Sequence, residues 1–187
     1  MKKNILVKLA GIAAAVSLLV GGAYAAFTSN SVTISNVNLT SATPALQVWN
    51  GSSYQTTANG ATLGIVEANM YPGLYGAIHP FYLRNSSDAS VPFGQIIGTI
   101  SWGNAPQWDA YKDNVQMRFG EVTADTWTGW NSLNWWNTTG ANFLASQLAG
   151  GNTKRRFRVQ FYMNSGAPNT LRGSTLQLTL SFVGQTP

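Results

Sequence analysis

The chain has 187 residues, enough for one domain with a leader, and only 9% of them are charged. It contains no cysteine, which excludes a disulfide framework, a thiolate metal site and a cysteine nucleophile. The net charge of +5 includes Lys2, Lys3 and Lys8. Without them the balance falls to about +2, which is not the electrostatic footprint of a nucleic-acid binder.

Lys2 and Lys3 lead an apolar run from Leu9 to Val20. Gly21-Gly22 closes that run, and Ala23-Tyr24-Ala25 has the small-x-small form of a signal peptidase site. Residues 1–25 therefore read as a signal peptide cleaved after Ala25, with a retained anchor as the alternative. The protein is expected to be secreted, touching the membrane only through its leader.

From Ala26 onward the pattern is mostly period two. Val32 and Ile34 share a face in "SVTI", and Leu46 and Val48 alternate with Gln47 and Trp49. In "FGQIIGTISW" Ile97 lies between Gly94 and Gly98, which suggests a bend or bulge. "GANFLASQLAG" places Phe143, Leu144 and Leu148 at helical spacing, with Gly150 as a stop, and predicts one short helix. Phe157, Val159, Phe161 and Met163 form one face of a further strand, and Leu176, Leu178, Leu180 and Phe182 one face of the last. One-sided alternation suits an antiparallel sheet with one wet face.

Turn signals at Asn50-Gly51, Asn59-Gly60, Pro72-Gly73, Gly150-Gly151 and Asn164 to Asn169 separate these runs. The expected fold class is all-β. It is a jelly-roll-like antiparallel β-sandwich with long loops and at most one or two short helices, spanning residues 26–187 as a single domain.

Parts for catalysis are scarce. The single histidine, His79, reads as a packed or edge residue, and one histidine cannot supply the usual zinc set. Asp109 and Asp113 are four apart and offer oxygen ligands, but without an EF-hand pattern. No catalytic residue, cofactor or metal is assigned, and the protein is read as a non-enzyme.

Two features remain. Lys154, Arg155, Arg156 and Arg158 form a dense basic cluster, either the solvated edge and face of a strand or a contact for an acidic polymer or membrane surface. Trp102, Trp108, Trp127, Trp130, Trp135 and Trp136 crowd a region rich in Asn, Thr, Ser and Gly. Their rings either fill the core with their N–H groups bonded to loop carbonyls, or line an aromatic seam between subunits, or form a stacking surface for glycans. Trp127, Trp130, Trp135 and Trp136 are the candidates for the glycan surface, with matrix polysaccharide as its partner.

Three segments, "GGAYAAFTSNSVTISNVNLT", "MYPGLYGAIHPFYLRNSSDASVPFGQI" and "FRVQFYMNSGAPNTLRGSTLQLTLSFVGQ", carry a resemblance. In this order the chain resembles the TasA/camelysin family of secreted biofilm-matrix fibre proteins, including the related archaeal bundling pilins. Pro72-Gly73, Asn85, Leu176 to Phe182 and Gln185 occupy the matching positions. The residues after Tyr24-Ala25 depart from the family pattern, and the segment from Trp102 to Trp136 has no match in it. The resemblance implies a jelly-roll subunit of an extracellular filament, its partner being a second copy of itself in a head-to-tail homopolymer. Residues 26–39 would be the donor strand entering the neighbouring subunit, with Ala26, Phe27, Val32 and Ile34 at the interface. The metalloprotease activity claimed for camelysin relatives finds no zinc ligands here. A secreted carbohydrate-binding module or adhesin using the tryptophan region is the alternative.

Overall fold

The computed structural model describes residues 31–40, 45–60, 65–68, 70–103, 105–168, 171 and 175–187. The leader, the cleavage site, Ala26 and Phe27 lie outside the described residues. What is described forms the two sheets of an all-β sandwich.

The first sheet has the order β11-β7-β13-β1-β4, with β5 also pairing β1. Its strands are β1 (Ser31–Thr40), β4 (Thr57–Ala58), β5 (Val66–Ala68), β7 (Gln95–Trp102), β11 (Ala141–Asn142) and β13 (Thr175–Gln185). The second has the order β10-β8-β12-β6-β2-β3, with β9 also on β8. It comprises β2 (Leu46–Trp49), β3 (Tyr54–Gln55), β6 (His79–Asn85), β8 (Val115–Glu121), β9 (Thr126–Trp127), β10 (Asn131–Ser132) and β12 (Thr153–Met163).

Alternation does what the sequence predicts in β12 and β13. Phe157, Val159, Phe161 and Met163 are fully buried, and so are Leu176, Leu178, Leu180 and Phe182. Between the sheets Phe81 stacks on Phe182 with centroids 5.2 Å apart, and Phe119 and Phe143 stack at 5.0 Å. Each such ring removes on the order of 150–250 Å² from water.

The expected bulge around Ile97 is not there. β7 keeps one uniform antiparallel register along β13, from Gln95 opposite Gln185 to Trp102 opposite Leu178. Gly98 serves packing instead: a Cβ there would lie 3.0 Å from the Phe119 ring and 3.2 Å from that of Phe143.

The helix expected over "GANFLASQLAG" is also corrected. That segment is a two-residue strand, Ala141 and Asn142, paired to β7, then a bend at Ala145 and Ser146, with Leu148 bridged to Phe93. Phe143 donates its amide to Ile96 O, and Leu148 donates to Phe93 O. An exposed sheet edge offered more backbone partners than an isolated two-turn helix would satisfy. Among the described residues the helices lie elsewhere, at α1 (Ala105–Tyr111) and α2 (Leu133–Thr138). Ser132 caps α2, its hydroxyl accepting from the Trp135 amide at 3.2 Å.

Candidate functional site

Two regions of the sandwich carry the residues singled out by sequence. The first is the slot that holds β1. This strand runs parallel to β13, the single parallel pairing among otherwise antiparallel described strands. On its other side Ser31–Thr33 pair antiparallel with β5, and Val37 and Asn38 with β4. β1 is thus an interior strand of its own chain's sheet.

Its register shifts between Ile34 and Asn36, so that Ser35 is the extra residue of a bulge. The shift keeps both Ile34 and Val37 fully buried although they are three apart. Val32 lies opposite Leu176 on the β13 backbone, and Ile34 opposite Leu178. Gly60 makes the seat for Ile34, since a Cβ there would stand 2.6 Å from Ile34 Cβ. Beside the slot, buried Glu67 of β5 meets buried His79 of β6, with Oε1 and Nε2 2.6 Å apart. His79 is therefore a packed residue that ties the two sheets together.

The second region is the outer face of the sheet built on β8, β12 and β6. Lys154, Arg156 and Arg158 alternate outward there, with Arg118 and Arg84 on neighbouring strands. Arg155 faces the other way. Its guanidinium pairs with Glu121, which is 2% exposed, and donates to Ser146 O at 2.7 Å and Gln147 O at 2.9 Å. The basic run is therefore divided between a surface and an internal staple.

The tryptophans are divided too. Trp136 is 0% exposed, and its indole N–H donates to Met117 O at 2.7 Å. It belongs to the core and to no glycan surface, because the hydrophobic side of α2 faces inward. Trp135 is half-buried and set edge-on to Trp136, with centroids 5.1 Å apart. Trp108 is buried and stacks on Trp102 at 4.3 Å.

Trp127 and Trp130 reach the outer face but are already engaged. The Arg118 guanidinium lies 4.0 Å from the Trp127 ring and 4.4 Å from that of Trp130, while Arg158 lies 4.1 Å from Trp127. Tyr75 stacks on Tyr162 at 4.4 Å and tilts against Trp130 at 5.6 Å. Arg118 also donates to Gln160 Oε1 at 2.7 Å, and Arg158 to Asp125 at 2.6 Å. Burial, and then the neighbouring Arg158 charge, hold the Arg118 pKa below the usual arginine value. Two guanidiniums over one indole leave little ring surface for a sugar, so Trp127 is a rung of a cation–aromatic ladder.

Gly120 permits the ladder. A Cβ there would meet the Trp127 ring at 2.9 Å. Gly120→Ala should displace Trp127 from both arginines, costing about 2 kcal/mol by overpacking. The near-ultraviolet circular dichroism of the tryptophans should fall while the far-ultraviolet sheet signal stays.

The sequence missed a different aromatic group. Trp49 of β2, Tyr54 of β3, Tyr82 of β6 and Lys154 of β12 line an open recess of about 220 Å³ on this same face. Trp49 and Tyr54 meet at 5.2 Å with their planes inclined by 59°. Arg84 lies 4.3 Å from the Tyr54 ring, and Arg156 lies 5.9 Å from that of Tyr82. Burial raises the Tyr54 pKa, and the Arg84 charge opposes that shift in part.

The carboxylates considered as calcium ligands lie apart from this face. Asp109 accepts from Lys112 Nζ at 2.9 Å, and Asp113 is exposed. Among the described residues no group of three or more His, Cys, Asp or Glu comes together. No protein-family model matches the chain, and no curated protein matches it.

Proposed function

We propose that the protein is a structural subunit of an extracellular filament, assembled by exchange of its N-terminal strand between neighbours. One observation carries this reading. β1 is an interior strand between β13 on one side and β4 and β5 on the other, yet it is the first strand of the described chain.

Withdrawing β1 opens a groove flanked by β13 and β5 and strips its hydrogen bonds from the β13 backbone. The β1 of a second copy restores the same bonds and the same burial of Ile34 and Val37. Head-to-tail exchange is heterologous and does not close on itself, so it propagates as a fibre. The resemblance to fibre-forming matrix proteins supports the same reading. Residues 26–39 would supply the exchanged segment, with Ala26, Phe27, Val32 and Ile34 as its interface.

Electron microscopy of the secreted protein, with N-terminal sequencing of the same sample, tests it. Filaments whose subunits begin at Ala26, lost when residues 26–34 are deleted while the sheet signal survives, are expected. Monodisperse particles from the intact protein across concentration and pH would sink the reading.

A further inference from the structure

We propose that the recess formed by Trp49, Tyr54, Tyr82 and Lys154 is a binding subsite for a carboxylate-bearing sugar ring, one unit of an acidic polysaccharide. The argument starts from its walls. Three aromatic rings and one exposed ammonium, brought from four strands, line a single open space. Its volume of about 220 Å³ lies below the ~300 Å³ at which drug-sized pockets begin, and suits one ring of a chain that continues past the site.

Shape favours a sugar over a nucleobase. The two rings inclined at 59° form a corner rather than a flat shelf. A puckered ring with apolar C–H groups on adjoining faces fits such a corner, whereas a planar base stacks best on one parallel face. Tyr82 is 38% exposed, so part of its ring surface is open to a ligand.

Charge favours an acidic unit. Lys154 sits opposite Arg84 in the strand register, and Arg156 sits opposite Tyr82, so three cations surround the recess. None of the six acids of the chain lines it. Arg84 is partly committed, donating from Nε and from its terminal nitrogen to Gln47 Oε1. Lys154 is the exposed point charge left to meet a carboxylate. Successive units of the chain would continue over the outward arginines of β12.

The test measures tryptophan fluorescence and co-sedimentation of the full secreted chain with polygalacturonate. Neutral dextran, oligodeoxythymidylate and vesicles containing phosphatidylglycerol serve as comparison ligands. Polygalacturonate should bind in preference to all three. Tyr82→Ala should weaken it about tenfold, in line with the loss of one stacking ring. Lys154→Gln should weaken it severalfold and flatten its salt dependence, with an unchanged melting temperature showing that the domain is intact. Equal binding of dextran would overturn the acidic assignment. Tighter binding of the oligonucleotide or the vesicles would overturn the sugar assignment, and affinity unchanged in both variants would overturn the location.

Discussion

Protein carrying Asn36→Cys and Thr179→Cys, treated after assembly with a short thiol crosslinker, should run on a denaturing gel as a ladder of covalent multimers. The two positions face each other across the β1–β13 pair, and Asn36 is exposed. The chain has no native cysteine, so every crosslink joins introduced positions, and the two single variants give the background of like-with-like links. In a monomer that keeps its own β1 the link closes within one chain, and only the monomer band remains. In a strand-exchanged fibre each β1 lies beside the β13 of its neighbour, and each link joins two subunits. Both arrangements make the same contacts, so concentration decides between them. The dilute protein should therefore give the monomer band and the assembled protein the ladder. Filaments whose crosslinks are all intramolecular would exclude exchange of this strand.

What could be read in the sequence follows one-sided burial. β12 and β13 were legible because a single residue of register slip would drive four large apolar side chains into water, and the sequence leaves no second solution. β1 carries the mark of its bulge in its sequence. Its apolar positions run 32, 34, then 37, 39, a break in phase of one residue, and the bulge at Ser35 absorbs it. The mispredicted helix over 140–150 failed for the complementary reason. Phe143, Leu144 and Leu148 bury equally well at helical spacing or along the edge of β7, and the free backbone groups of that edge decided the outcome.

The surface chemistry was less legible, because it is made across strands. Whether an indole is core, ladder or recess depends on what stands opposite it. Trp136 is set by the inward turn of α2, Trp127 by the absence of a side chain at Gly120, and Trp49 by Tyr54 and Tyr82. Trp49, the tryptophan outside the dense cluster, is the one that opens on the recess beside Lys154. The basic run is divided in the same way. Period two along β12 sends Arg155 to Glu121 while its neighbours face outward.

Gly60→Ala should destabilise the domain without shifting the balance between closed monomer and filament. The added methyl would collide with the carbonyl oxygen of Ile34 and stand 2.6 Å from its Cβ, and neither is the far end of a flexible side chain. β1 must then move, and its movement disturbs the pairing to β13, β4 and β5 together with the burial of Ile34 and Val37. Overpacking against backbone belongs at the upper end of its usual range, about 3 kcal/mol. For a domain of this size that lowers the melting temperature by roughly 10 °C. Gly166→Ala is the control, because no atom lies within 4 Å of the position its Cβ would take. It should leave the melting temperature within about 1–2 °C. The filaments test the seat itself. Closed monomer and strand-exchanged fibre both press β1 against the same methyl, so the penalty cancels between them and fibres should persist on the destabilised domain. Fibres lost while the Gly60→Ala domain stays folded would mean that the strand in the fibre is seated differently from β1 in the closed chain.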